Sequence, residues 1–402
     1  MTTDQSRSGR SSLWSSPAAS YYLLVASTSI LLLVGLAVVL SSSSISSIRQ
    51  ENGNAWALFL LQVAALVVGV GAMIFGSRLS VANWKRLAPF VFYGAIVLLL
   101  VVMTSGISSG GNRNWLRVGP VTVQPSEMAK LGLALYLGVV LGKFRKELTT
   151  LNRIMVPGGV ASLVVIGLVL AGKDMGTAII LGLVVAGAFW VAGLPIRFFA
   201  AGGVLVAGLA TVLVFAADSR VNRILTWASS TCDPTDDCYQ QTHGTWALAS
   251  GGLWGLGPGM SREKWGYLPA ADNDFIYAII GEEFGLIGTL LVLVALAMMV
   301  IAVSRIVRRH KDPFAQVAGA AIGAWIIGQA FVNIAVVLDL LPVTGVPLPL
   351  VSSGGSSLVM SLAAIGVLMA FARSEPGAKE AFVARPSVMR RYVAVVARGR
   401  RG

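Results

Sequence analysis

The chain predicts an all-α, polytopic membrane protein, and three observations predict that class. Apolar runs of about 17 to 25 residues recur along its length, each long enough to cross a ~30 Å hydrocarbon core. Only 12% of the residues are charged, and the mean hydropathy is +0.77. Most of the 31 Lys and Arg residues fall in alternate loops, the bias that orients helices in a bilayer.

The runs place ten spans at 21–40, 55–75, 87–104, 126–142, 154–171, 176–193, 198–217, 275–303, 316–338 and 355–372. The first follows a polar tail, 1–20, with Arg7 and Arg10; it lacks a small-residue cleavage site and reads as a retained anchor. Arg78, Lys85 and Arg86 separate the second and third, and Lys143, Arg145, Lys146 and Arg153 separate the fourth and fifth. Arg197 lies between the sixth and seventh, and Arg305, Arg308, Arg309 and Lys311 between the eighth and ninth. Assigned to one side, these loops put both termini in the cytoplasm. The transmembrane domain is 21–372, with a long outer loop at 218–274 and a basic tail at 373–402 that lies on anionic lipid, at ~1 kcal/mol per basic residue. The formal charge of +13 does not point to nucleic acid, because the basic residues are scattered over short loops and a tail.

The unusual sequence falls in the outer loops: 105–125, 217–274 and 339–357. Cys232 and Cys238, the only cysteines, are disulfide candidates in the long loop; two free thiols are the alternative, and only His243 is near enough to argue for zinc. No internal repeat is visible, which weakens an inverted-repeat transporter. GGLWGLGPG at 251–259 has no preceding strand and no following GK[ST], so it is no nucleotide loop.

QPSEMAK puts Glu127 and Lys130 three apart on one helical face, where they can pair. Arg113, Trp115 and Arg117 form a cationic and aromatic cluster suited to a phosphate beside a lipid tail; an interfacial aromatic belt with snorkelling arginine is the other reading. GKDMGT makes a tight turn in which Asp174 or Thr177 caps a helix. Arg220 and Arg223 are suited to a pyrophosphate clamp or to a carboxylate within their own loop. KWGYLPAADNDFIYAIIGEEFG, 264–285, brings four carboxylates into an apolar region. Asp274 stands where loop enters helix, so desolvation raises its pKa toward that of a general base, while Lys264 or an arginine nearby would lower it. Glu282 and Glu283 lie deeper and read as structural partners of basic groups. The PVTGVPLPLVSSGGSS segment reads as a stiff, irregular entry to the last span; its hydroxyls lack a His partner or a GxSxG context.

Taken together, NWLRVGPVTVQPSEMAK, GKDMGTA, YQQTHGTWALASGGLWGLGPG, KWGYLPAADNDFIYAIIGEEFGLIG and NIAVVLDLLPVTGVPLPLVSSGGSS resemble the SEDS (shape, elongation, division and sporulation; FtsW/RodA) family. The resemblance implies an inverting glycosyltransferase of the bacterial plasma membrane that polymerises lipid II, with undecaprenyl pyrophosphate as leaving group. It matches Asp274 to the essential acid and Glu127 and Lys130 to a charged pair beside a central cavity. Arg113, Trp115, Glu127, Lys130, Arg220, Arg223 and Lys264 become candidates for substrate contact, and Asp272 is the second-rank base. No metal site is implied, although a divalent cation, Mg or Mn, is compatible with the pyrophosphate. The implied partners are a class B penicillin-binding protein, which is a transpeptidase, and other divisome proteins at the septum. The chain departs from the family pattern at Ala270, Asp272, Asn273, Asp339 and Ser353. Its opening and the NRNW spelling are closer to the actinobacterial division branch than to the elongation branch. A lipid II flippase and an inactive division scaffold are the competing functions.

Overall fold

The computed structural model describes residues 16–50, 54–109, 112–119, 121–144, 151–215, 227 and 238–384. The expected tails, 1–15 and most of 373–402, together with Arg220, Arg223 and Cys232, lie outside the described residues. Twelve α-helices are described: α1 Ala19–Gln50, α2 Ala57–Arg78, α3 Val81–Ser105, α4 Pro125–Phe144, α5 Leu151–Ala171, α6 Met175–Ala192, α7 Ile196–Phe215, α8 Tyr239–Gly251, α9 Ile276–Arg309, α10 Pro313–Val337, α11 Gly355–Arg373 and α12 Ala378–Ala384.

Each expected span falls on one of these helices. Among the described residues, seven are long and apolar enough by themselves to cross a membrane: α1, α2, α3, α6, α9, α10 and α11. Helix α4 is not one of them, because Glu127 and Lys130 lie in its first two turns. Its Leu133, Leu135 and Leu137 are nevertheless fully buried, packed among α3, α6 and α10. A helix enclosed by other helices can carry a charge pair that a lipid-facing helix cannot.

Helix α1 packs chiefly on α9, and α2 on α11. Glycine permits the second contact: a Cβ on Gly366 would stand 2.6 Å from the Met73 carbonyl oxygen. The segment expected as an outer loop, 105–125, pairs into a three-stranded antiparallel sheet, β1 Ile107–Ser109, β2 Asn112–Val118 and β3 Val121–Val123. Ile107 opposes Trp115, and Leu116 opposes Val123. The turn signals were present as Gly110-Gly111 and Gly119-Pro120, with β-branched residues between and after them.

Helix α9 is broken at Gly285, where φ is 64° and ψ is −159°. Into that break fits the GGLWGLGPG segment. The N–H groups of Leu256 and Gly257 donate to the carbonyls of Glu282 and Glu283, and that of Leu286 donates to Gly252. A Cβ on Gly255 would lie 2.2 Å from the Glu283 oxygen, and one on Gly251 would lie 1.8 Å from that of Gly281. These glycines serve close backbone approach, and the exchanged bonds satisfy the groups that the break releases.

Candidate active site

The sequence blocks that stand out converge where α3, α5 and α10 end and α4, α6, α9 and α11 begin, opposite the basic loops. The loop carrying Asp274 is held by its backbone. Asn333 Nδ2, from α10, donates to the Asp274 carbonyl at 2.7 Å and to that of Val346 at 2.8 Å. Ser352 Oγ donates to the Asn273 carbonyl at 2.7 Å, and the Ser353 N–H donates to that of Asp272 at 2.9 Å. Ala270, at φ 52°, accepts from the N–H groups of both Asn273 and Phe275.

The Asp274 side chain is free of those bonds. Its Oδ1 is buried and accepts no hydrogen bond among the described residues. Loss of water, reinforced by the like charge of Asp272, pushes its carboxyl up to about 6. Gly345, at φ 70°, flanks the carboxylate: a Cβ there would stand at ordinary contact distance, 3.7 Å, from Oδ2. Burial also raises Asp272, and a hydrogen bond from the Ser353 side chain opposes that rise. Asp272 and Ser353, two positions that depart from the family pattern, are therefore partners. Asp339, a third, has φ 58°, and its carbonyl accepts from Trp227 Nε1 at 3.1 Å. Burial raises its carboxyl as well.

Glu127 and Lys130 pair at 2.8 Å as expected, but both are almost fully buried. Lys130 Nζ also donates to Gln329 Oε1 at 2.9 Å and lies 4.9 Å from the Trp325 ring centroid. Gln329 Nε2 then donates to the Pro347 carbonyl at 2.8 Å. The pair thus ties α4 to α10 and to the segment that flanks Asp274. Asp174 caps α6 as expected, accepting from the Thr177 N–H at 2.9 Å, and it also accepts from Gln124 Nε2 at 3.2 Å. Gly176 meets the same segment: its Cβ would lie 2.5 Å from the Thr344 oxygen.

Lys264 differs from expectation. Its side chain is 5% exposed, and Nζ is held by Glu283 at 3.1 Å, by Ser41 Oγ and by the Gly259 carbonyl, both at 2.6 Å. It makes no bond to Asp274 and does not lower that group. Glu282 accepts from Ser261 Oγ and from the Arg262 N–H, so both glutamates are structural partners. Arg113 lies on β2 opposite Ser108, Trp115 is partly buried, and Arg117 is exposed. The sheet reaches the site through Gln124, whose N–H donates to Ser356 Oγ at 3.4 Å. Cys238, just before α8, is disulfide-bonded. His243, in α8, pairs with Glu263 at 2.6 Å. Asn333 and Gln329 were missed by sequence reasoning, although an amide in an apolar helix is itself a signal.

The fold and this cluster define a polytopic helical membrane protein with partly desolvated carboxylates, Asp274 foremost, at a shared helix end. The chain belongs to the FtsW/RodA/SpoVE cell cycle protein family, whose model matches residues 21–376. It is 38% identical over 346 residues to the probable peptidoglycan glycosyltransferase FtsW of Mycobacterium tuberculosis, covering 86% of this chain and 66% of that relative. The chain thus matches just under two thirds of the mycobacterial protein's length. It is 32% identical over 337 residues to the protein of the same name from Geobacter metallireducens, covering 83% and 90% of the two chains. Stage V sporulation protein E of Bacillus subtilis is 32% identical over 343 residues, with 84% and 93% covered. Among solved structures, a chain of a peptidoglycan synthase complex that coordinates polymerisation and crosslinking superposes with a TM-score of 0.71 at 25% identity, covering 88% and 97%. The rod shape determining protein RodA of Thermus thermophilus superposes with a TM-score of 0.62 at 24% identity, covering 87% and 96%, a likeness of fold.

Proposed function

We propose that this chain polymerises lipid II into peptidoglycan strands at the division septum of a bacterial plasma membrane, with ten spans and both termini cytoplasmic. The observation that carries this reading is Asp274: fixed through its backbone, unbonded at Oδ1 and pushed up to about 6. A carboxyl so placed is a general base poised near neutrality. In the proposed step the acceptor's GlcNAc 4-hydroxyl oxygen bonds to C1 of the donor's MurNAc and its proton passes to Asp274. The bond from C1 to the pyrophosphate oxygen breaks, undecaprenyl pyrophosphate departs with that electron pair, and C1 inverts.

Asp272 remains the second-rank base. Arg113, Trp115, Arg220 and Arg223 are the proposed substrate contacts. Glu127, Lys130 and Lys264 act by position, since each is ion-paired within the protein. Among the described residues no group of three or more His, Cys, Asp or Glu is placed to hold a metal ion, and the step is routed through none. A class B penicillin-binding protein is the proposed crosslinking partner; the likeness to a synthase complex joining polymerisation and crosslinking supports it.

The test gives labelled lipid II to the purified protein with its transpeptidase partner and resolves glycan on a gel. Asp274→Ala is expected to abolish polymer, and Asp272→Ala to retain it. Polymer made by Asp274→Ala at the normal rate overturns the assignment. Transbilayer movement of lipid II without polymer would instead favour the flippase.

A further inference from the structure

The two helix pairs described above leave a gap at the basic end of the molecule. Helices α1 and α2 meet at their other end, where Ser47 Oγ donates to the Asn54 carbonyl at 2.6 Å and accepts from the Leu58 N–H at 3.3 Å. From there α1 follows α9 and α2 follows α11. The resulting cleft encloses about 1410 Å³, more than a drug-sized ligand site of ~300–1,000 Å³. Its walls are apolar and aromatic, including Tyr21, Val25, Leu32, Met73, Ile74 and Phe382. The Thr28 hydroxyl in the wall is buried without a partner.

Arg78, Arg373 and Lys379 line the same cleft and are exposed. Arg373 donates to the Ser77 carbonyl at 3.1 Å; none of the three is ion-paired with a described carboxylate. Asp312, also in the lining, is taken by Lys85 at 3.4 Å. Residues 385–402 carry Arg and no Asp or Glu, so their sequence offers the rim no complementary charge.

We propose that this cleft binds a phospholipid with an anionic phosphate headgroup, its acyl chains between α1 and α2 and its phosphate at Arg78, Arg373 and Lys379. Charge complementarity and an apolar interior open beside a cationic rim select that ligand over a neutral lipid.

The test is native mass spectrometry of the full chain released from detergent containing phosphatidylglycerol or phosphatidylcholine. The one-lipid adduct is expected to favour phosphatidylglycerol by roughly tenfold or more. R78A/R373A/K379A should bring it to the phosphatidylcholine level, and Val25→Trp, which fills the cleft, should remove it. Equal adducts with the two lipids, or a phosphatidylglycerol adduct that survives Val25→Trp, overturns the proposal. So does displacement of the lipid by inorganic phosphate alone, which would mark a free-anion site. If the triple variant does not fold, the lipid preference and the Val25→Trp result decide.

Discussion

Asp274 and Asp272 are two residues apart, yet the fold treats them differently. Both lose water, but Asp272 receives a hydrogen bond from Ser353, whereas Asp274 feels the charge of Asp272 and has a buried oxygen with no donor. A base works deprotonated, so polymerisation should fall as pH drops through about 6, by about tenfold per unit below it. Asp272→Asn removes a like charge and should move that acid limb to lower pH while leaving the plateau rate near wild type. Initial rates of polymer formation across pH 4.5 to 8 (a range set about the expected pKa) measure both. A limb that stays in place in Asp272→Asn would remove the electrostatic link between the two carboxylates.

At the scale of elements, the break in α9 and the glycine-rich segment within it are held by Lys264 and Glu283. Lys264→Met leaves Glu283 buried with Ser41 as its remaining side-chain partner and is expected to destabilise by ~3–5 kcal/mol. K264M/E283L, which removes both charges, should recover most of that loss. Thermal unfolding in detergent distinguishes this role from direct substrate contact, which predicts an unchanged midpoint and weakened lipid II binding. The ten helices were legible as apolar runs, and Asp274 was legible as an acid at a helix entrance. Glu283 was legible as the partner of a basic group, but the Ser41 contact was not, because only the packing of α1 on α9 brings Ser41 to Lys264 across 223 residues. The sheet at 107–123 was legible in its turn residues, although the segment was placed only as an outer loop between two spans. The tethers Gln329 and Asn333 sit in an apolar helix whose periodicity gives no hint of what faces them.

For the whole molecule, the charge bias predicts that both termini are cytoplasmic. Alkaline phosphatase fused after Gly402 should be inactive and a fluorescent protein there should fluoresce, whereas alkaline phosphatase inserted within 228–237 should be active. The reverse pattern would turn the proposed catalytic end toward the cytoplasm. The Lys130 network bears on how such a molecule is made. Gln329 follows Lys130 by 199 residues, which at a ribosome's pace of ~5–20 residues per second is a delay of roughly 10–40 s. During that interval α4 can already be in the bilayer without its long-range partner. Glu127, one turn away, can neutralise the lysine from the moment of insertion. The pair thus bears on biogenesis as well as architecture: a lysine neutralised at membrane entry later meets the amide of a helix made 199 residues downstream.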